Sequence, residues 1–195
     1  MTTRGAALGF STDKSNKTSR SLADKGILTP FTINAGQHMG GMVKLHELTR
    51  LGAETLGVKQ KLVRRGNTSA EHFWWQIQIC SHFRGEGHQA SIEKSLDGQR
   101  ADVGVHLDGS WIAYEVAITP RNELRNILKD LEAGFQSVVV CCRSKPVSRA
   151  VALQANEHLA PDQLSRTRIV LLCDLPFVSR LFKPAAGGRT APHQI

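Results

Sequence analysis

The chain has 195 residues, which is enough for one sizeable domain and a small appendage. Its hydrophobic content of 41% and charged content of 22% are ordinary for a soluble globular protein, and no apolar run approaches the roughly 18 residues that span a bilayer. The polar N-terminus lacks the apolar core of a signal peptide, so we expect a cytoplasmic protein that does not bind membranes.

The positive charge is concentrated in the first third of the chain. Residues 1–66 carry 11 Lys/Arg and 4 Asp/Glu, whereas the remaining residues, 67–195, carry 14 and 13. This asymmetry indicates an anionic partner for the N-terminal part, most simply nucleic acid. The alternative is a solvated basic tail without a partner.

The N-terminal third contains signals for two helices and two strands. Residues 1–14 are small and polar and are expected to be disordered. Residues 15–28 predict a short helix that ends at Gly26. Two strand-like runs follow, separated by a Gly-rich loop, and "LTRLGAETLGV" then predicts a helix with Leu48, Leu51 and Leu56 on one side.

This order of a basic helix, a Gly-rich hairpin and a helix that opens with Leu-Thr-x-x-Gly resembles the second half of a winged-helix domain. The resemblance implies that the basic helix enters the major groove of DNA and that the hairpin is the wing. Two earlier helices of that family have no counterpart in residues 1–14. We therefore expect a truncated, winged-helix-like segment over 15–66, which includes a basic linker.

The next segment, from residue 67, predicts a helix and three strands. The helix covers about 70–84, with Phe73, Ile77 and Cys80 on its buried face and His72 packing at its start. The strands are "ASIEKSL", "RADVGVHL" and "SWIAYEVAIT", and Asp-Gly pairs separate them. Asp-Gly between alternating runs predicts type I′ hairpins, which need positive φ at both central residues.

The rest of the chain alternates helices with apolar strands. The predicted elements are a helix over 121–135, a strand over 137–142, a helix over 146–159, a strand over 168–173 and a short helix over 175–182. Residues 184–195 are expected to be a disordered tail. The order from residue 67 is αβββαβαβ, which predicts an α/β domain over 67–183.

Two carboxylates interrupt the paired strands. An ideal turn at Asp108-Gly109 places Asp102 directly opposite Glu115, and an ideal first turn places Glu93 opposite Asp102 as well. Like charges that face each other are destabilising, and a hard divalent cation such as Mg²⁺ would compensate them. Alternatively the carboxylates are solvated where the strands open, or they are neutralised by Arg100 or Lys94.

These residues resemble the PD-(D/E)XK, or restriction-endonuclease-like, superfamily. The resemblance is carried by a helix that starts with x-Glu-His, by Gly-x-Arg-x-Asp-Val, and by a strand that ends Glu-Val-x-x-Thr. It covers residues 69–175 and is strongest for the Glu-His branch found on mobile elements and beside DNA-handling ATPases. It implies a restriction-endonuclease-like core with a mixed central sheet.

The resemblance also implies roles for particular residues. Asp102 and Glu115 would be metal ligands, and Glu71 would be the helix glutamate that completes the site, with Mg²⁺ or Mn²⁺ as the cofactor. The lysine that usually follows the strand glutamate by two positions is replaced by Ala117. Lys129, on the next helix, could reach the sheet as a substitute, and the alternative is a solvated surface lysine.

The resulting hypothesis is a DNA-associated protein whose second domain is a metal-dependent endonuclease that hydrolyses DNA phosphodiesters. The expected partners are DNA, a second copy of the chain and a DNA-handling ATPase. The alternative is a catalytically inactive DNA-binding or regulatory module of a mobile element, which Ala117 favours. A small-ligand sensor domain is disfavoured, because neither G-x-G-x-x-G nor a Walker motif is present.

Overall fold

The structure is a computed structural model that describes residues 11–34, 41–58 and 69–178. The predicted tail over 184–195, the basic linker over 59–66 and the second half of the short helix over 175–182 lie outside the described residues. The described residues divide into two compact units, 11–31 with 44–58 and 177–178, and 32–34 with 41–43 and 69–176. Among them, none of the helices has both the length and the apolar character needed to cross a membrane.

The N-terminal elements occur in the predicted order. They are α1 (Thr12–Asp24), β1 (Leu28–Asn34), β2 (Met42–Leu48) and α2 (Arg50–Thr55), and β1 and β2 form a two-stranded sheet. Helix α1 begins three residues before its predicted start, because Ser11 accepts a hydrogen bond from the Lys14 amide at 3.3 Å and caps the first turn. Gly26, at φ 69°, ends it as predicted.

The Leu-Thr-x-x-Gly pattern has a local structural reason. The Thr49 hydroxyl accepts a hydrogen bond from the Gly52 amide at 2.9 Å and donates one to the Gly26 carbonyl at 2.6 Å. A Cβ at Gly52 would lie 2.2 Å from the Ile27 carbonyl oxygen, so only glycine allows α2 to approach so closely. The predicted apolar side of this helix is wrong, because Leu51 and Leu56 are exposed and α2 has only six residues.

The second unit has the predicted order with one additional short helix. Its elements are α3 (Ala70–Gly85), β3 (Gln89–Leu96), β4 (Gln99–Leu107), β5 (Ser110–Ala117), α4 (Glu123–Glu132), β6 (Ser137–Cys142), α5 (Lys145–His158), α6 (Pro161–Ser165) and β7 (Thr167–Leu171). A 3₁₀ turn, Leu172–Asp174, follows. The fold class is mixed α/β, as expected.

Five strands form one mixed sheet in the order β3-β4-β5-β6-β7. Strands β3, β4 and β5 are antiparallel hairpins, whereas β5, β6 and β7 are parallel and are connected through helices. Both hairpin turns have positive φ at their Asp and Gly, as the type I′ prediction requires. The register is also the predicted one, since Leu107 pairs with Ser110 and Leu96 pairs with Gln99.

Helices cover both faces of the sheet. Ile127 and Leu131 of α4 pack with Ala113 and Ala117 of β5 in the main core, to which β6 and α5 also contribute. Successive residues of a strand point to opposite faces. Tyr114 therefore faces the other side, where its ring lies 5.1 Å from that of Phe83 on α3.

The buried face of α3 differs from the predicted one. Trp75, Gln76, Ile79 and Cys80 are buried, whereas the predicted face residues Phe73 and Ile77 are only partly buried. Apolar residues occur around most of this helix, so their spacing does not define a single face. The observed orientation turns two polar residues of the first turns, His72 and Gln76, toward the sheet.

Candidate active site

The candidate site lies where β4 and β5 separate. Their ladder of paired residues ends at Val103 and Tyr114, one step before the two carboxylates. Beyond that point, the Asp102 amide donates to Glu115 Oε1 at 3.1 Å, and the Val116 amide donates to Asp102 Oδ2 at 2.8 Å. Side-chain oxygens thus replace main-chain pairing here. Asp102 and Glu115 are neighbours, although they do not form the directly opposed pair of the ladder that was predicted.

The β3–β4 hairpin is bent beside the same point, where its ladder skips Glu93 and Asp102. Glu93, opposite Asp102, has a φ of 50°, which is unusual for a residue with a side chain. Beyond the bend, a Cβ added at Gly104 would lie 2.4 Å from the Cβ and Cγ of Lys94, so the hairpin tip folds over the sheet. The Glu93 carboxylate pairs with Arg100 at 3.1 Å. Arg100 and Lys94 therefore engage groups other than the carboxylates of Asp102 and Glu115.

Helix α3 provides two partners for the Asp102 carboxylate. Gln76 Nε2 donates to Asp102 Oδ1 at 2.9 Å, and His72 Nε2 lies 2.9 Å from Oδ2. The two side chains are four residues apart and therefore share one face of the helix. Burial lowers the pKa of His72, but its hydrogen bond to Asp102 and the charges of Asp102 and Glu123 outweigh that effect and raise the pKa. This favours a charged His72 paired with Asp102.

Helix α4 provides the partner of Glu115. Lys129 Nζ lies 3.5 Å from Glu115 Oε1 and 2.7 Å from Asp130 Oδ1, and it donates to the Arg100 carbonyl at 2.6 Å. Lys129 thus reaches the sheet, which was one of the two alternatives for this residue. Glu115 is 3% exposed, and burial together with the charges of Asp102 and Asp130 raises its pKa well above the usual range.

The surroundings of Ala117 do not accommodate the lysine that the PD-(D/E)XK resemblance implies at this position. It lies two residues after Glu115 on the same face of β5, and it is fully buried in the core with Ile127 and Leu131. A lysine there would have to displace α4 from the sheet. The chain instead supplies an amine to Glu115 from α4 itself, through Lys129.

Glu71 has a different partner from the other predicted ligands. Its Oε1 lies 3.1 Å from Arg143 Nε, in an ion pair that is not aligned as a hydrogen bond. Burial raises the pKa of Glu71, and the charge of Arg143 opposes this rise. Arg143 follows β6, and its amide bonds to the Ala117 carbonyl at 2.9 Å. The structure therefore joins Asp102, Glu115 and Lys129, and it ties Glu71 to Arg143.

Two further buried acids belong to this region. Glu123, in the first turn of α4, is 7% exposed, and Asp130 is fully buried. Glu123 Oε2 and Asp130 Oδ2 both lack a hydrogen-bond partner. Burial and the charge of Asp102 raise the pKa of Glu123 to about 7. For Asp130, burial also raises the pKa, although bonds to Glu115 and Lys129 oppose the rise.

The donor chemistry of the region suits a hard divalent cation. Five acids are concentrated here, and the cations that face them are Lys129, Arg143 and a protonated His72. Burial raises the pKa of Glu115, Glu123 and Asp130, repulsion from Asp102 adds to this rise, and a divalent cation relieves such repulsion. Among residues 11–34, 41–58 and 69–178, no three His, Cys, Asp or Glu side chains form a ready-made metal cluster.

No family model, curated protein or solved structure matches this chain. Its function must therefore be inferred from its own residues. Sequence reasoning found Asp102 and Glu115, because turn chemistry positions them, and it left Lys129 either near the sheet or exposed to solvent. It missed Gln76, Glu123 and Asp130 as members of the site and took His72 for a packing residue. A glutamine on an otherwise apolar helix face was the available signal for Gln76.

Proposed function

We propose that the second unit is a divalent-metal-dependent nuclease domain that hydrolyses DNA phosphodiesters. The observation that carries this proposal is the meeting of Asp102, Glu115 and Lys129 where β4 and β5 separate. Two carboxylates from adjacent strands with an amine beside them are the groups that the PD-(D/E)XK resemblance implies. The proposal includes a restriction-endonuclease-like core preceded by a partial winged-helix-like segment.

In this proposal Asp102 and Glu115 would hold Mg²⁺ or Mn²⁺, with Glu71 as the further ligand that the resemblance implies. When bound, such an ion polarises a phosphoryl oxygen and lowers the pKa of bound water. Hydrogen bonds from His72 and Gln76 fix the orientation of the Asp102 carboxylate.

Lys129 would add a second function at the same place. Its ammonium is partly exposed, with 23% of the side chain accessible, so it can meet an entering phosphate while it remains tied to Glu115 and Asp130. Burial lowers the pKa of Lys129, but Glu115 and Asp130 outweigh this and raise it, so the group stays charged. A fixed positive charge there would stabilise the negative charge that develops on the phosphate.

Charge supports DNA as the substrate. The chain has a net charge of +8, and most of the excess lies in residues 1–66. Such a segment would bind the phosphate backbone without reading sequence. Arg100, whose side chain is 59% exposed, lies two residues from Asp102 and offers a further contact for phosphate.

The direct test is cleavage of supercoiled and single-stranded DNA with Mn²⁺. Wild-type protein is compared with the isosteric variants Asp102→Asn and Glu115→Gln and with Lys129→Met. The exposed Glu132, at the end of α4, provides the matched control Glu132→Gln. We expect each site variant to lose at least about 100-fold in rate, while the control retains wild-type activity. Circular dichroism checks that every variant is folded.

The second candidate is a DNA-binding module that does not cut. Two observations favour it: Ala117 replaces the usual lysine, and the Asp102 carboxylate already accepts bonds from Gln76, Val116 and His72. DNA binding without cleavage, unchanged in Asp102→Asn and Glu115→Gln, would establish this candidate and refute the nuclease.

A further inference from the structure

Asp130 is a fully buried acid on α4 that is only half satisfied. Its Oδ1 lies 2.7 Å from the Nζ of Lys129, whereas its Oδ2 is buried without a hydrogen-bond partner among the described residues. Removing a carboxyl group from water is costly unless its oxygens are bonded. An apolar residue would serve the fold as well, so the role of Asp130 lies with the residue that it contacts.

Lys129 is restrained by groups from three elements. Its Nζ donates to the Arg100 carbonyl of β4 at 2.6 Å and to Asp130 Oδ1 at 2.7 Å. It also lies 3.5 Å from Glu115 Oε1 of β5. Side chains one position apart on a helix do not face each other, so the contact with Asp130 requires the lysine stem to bend toward its neighbour. The stem thereby loses rotamer freedom that an unrestrained lysine would keep in solvent.

The three contacts of the ammonium differ in strength. Those to the Arg100 carbonyl and to Asp130 have the usual length of a hydrogen bond, whereas the 3.5 Å separation from Glu115 is at the upper limit. An ammonium has three N–H donors. Two of them are therefore fixed, and the third is the one that an entering phosphate oxygen can take with the smallest loss. The side chain of Lys129 is 23% accessible, so a ligand can reach it.

We propose that Asp130 is a positioning residue, which together with the Arg100 carbonyl fixes the ammonium of Lys129 so that its third N–H faces the phosphate to be cleaved. This inference rests on the proposed function, because it assigns a role within the same nuclease site. Preorganised donors stabilise developing charge without reorganising during the reaction. A lysine on β5 itself would be held by the sheet, whereas a lysine on α4 needs an anchor such as Asp130.

The first measurement is the rate at which acetic anhydride acetylates Lys129, read by mass spectrometry relative to the exposed Lys17. It requires neither metal nor DNA. The variants are Asp130→Leu, which keeps the branching and removes both acceptors, Asp130→Asn, which keeps one acceptor, and the exposed control Glu132→Leu. We expect Lys129 to react at least about threefold faster in Asp130→Leu, because loss of an adjacent opposite charge lowers the pKa of an amine. The increase should be smaller in Asp130→Asn and absent in Glu132→Leu.

The second measurement is the single-turnover rate of DNA cleavage with Mn²⁺, with DNA affinity measured separately in EDTA. We expect Asp130→Leu to lower the cleavage rate at least about tenfold, since groups that orient the ligands of a site contribute about 10–100-fold. Asp130→Asn should keep part of the rate, and DNA affinity should not change. In a Lys129→Met background, Asp130→Leu should have no further effect, because its role passes through Lys129. Circular dichroism shows which variants are folded.

The outcomes separate this inference from the nuclease proposal. Equal reactivity of Lys129 in the wild type and both Asp130 variants would overturn the inference, whether or not the protein cuts DNA. An equal loss of cleavage from Asp130→Leu with and without Lys129 would also overturn it, because Asp130 would then act through another group. Faster acetylation in the Asp130 variants, with no cleavage by the wild type, would support the positioning of Lys129 and refute the nuclease. If Asp130→Leu does not fold, the comparison of Asp130→Asn with the wild type decides.

Discussion

Replacing Glu123 with glutamine should make the metal-free protein more stable at alkaline pH. Glutamine preserves the shape of the protonated acid and cannot acquire a charge. In the wild type, burial and the charge of Asp102 raise the pKa of Glu123 from 4.5 to about 7. Each pKa unit corresponds to roughly 1.4 kcal/mol, so the charged carboxylate costs the folded protein about 3 kcal/mol.

The sign follows from proton binding. Between its unfolded pKa near 4.5 and its folded pKa near 7, Glu123 binds a proton more tightly in the folded protein. This contribution to stability is complete below about pH 4.5 and is lost as the pH rises to about 7. Glu123→Gln does not lose stability in this way, because glutamine cannot acquire a charge. We therefore expect its free energy of unfolding to exceed the wild-type value by about 3 kcal/mol at pH 8 and by about 1 kcal/mol or less at pH 5.

Urea unfolding in EDTA, followed by circular dichroism at pH 5 and pH 8, measures this difference. Comparing the two proteins at each pH cancels the titration of groups that the substitution does not affect. Glu132→Gln, on the exposed side of the same helix, should differ from the wild type by no more than about 0.5 kcal/mol at either pH. An equal difference at pH 5 and pH 8 would show that Glu123 is not destabilised by burial and Asp102.

Gly104→Ala should lower the free energy of unfolding by about 1–3 kcal/mol, because the new methyl group would lie 2.4 Å from the Lys94 side chain. This decrease in the free energy of unfolding should be smaller in a Lys94→Gly background. An unchanged decrease there would contradict the proposed contact. Lys129→Met should lower the free energy of unfolding by about 3–5 kcal/mol, because it leaves buried acids unpaired. Lys17→Met, which removes an exposed ion pair, should lower it by less than about 1 kcal/mol. Similar losses in the two variants would refute this distinction between buried and exposed ion pairs. Cys80, Cys141 and Cys142 are buried, and burial raises the pKa of each thiol, so the native protein should react with about one equivalent of a thiol reagent, at the partly exposed Cys173. Four equivalents from the native protein would contradict this assignment.

Local rules were sufficient for much of the fold. The Asp-Gly pairs fixed the register of β3, β4 and β5, because a two-residue turn allows only one pairing of the strands that it joins. That register placed Asp102 beside Glu115, whereas the sequence left Lys129 either near the sheet or exposed to solvent. Each of these inferences used neighbours in sequence or directly paired strands.

The remaining features depend on tertiary contacts that no local pattern encodes. The rotation of α3 depends on how an almost uniformly apolar helix packs on the sheet, and this rotation brought Gln76 and His72 to Asp102. The bend at Glu93 required a positive φ, and the residues next to it in the sequence do not indicate one. Nothing in the sequence singled out Glu123 and Asp130 as site residues, because charged residues are almost never fully buried unless they are paired.

The bonds of Asp102 to the Val116 amide and of Glu115 to the Asp102 amide have an evolutionary consequence. These two acids fasten β4 to β5 at the point where main-chain pairing stops, so the fold itself selects for them. A descendant without the proposed cleavage activity would therefore still retain both in order to keep its sheet intact. Residue 123 would be substituted first after a loss of function, because glutamine there stabilises the fold more than glutamate does.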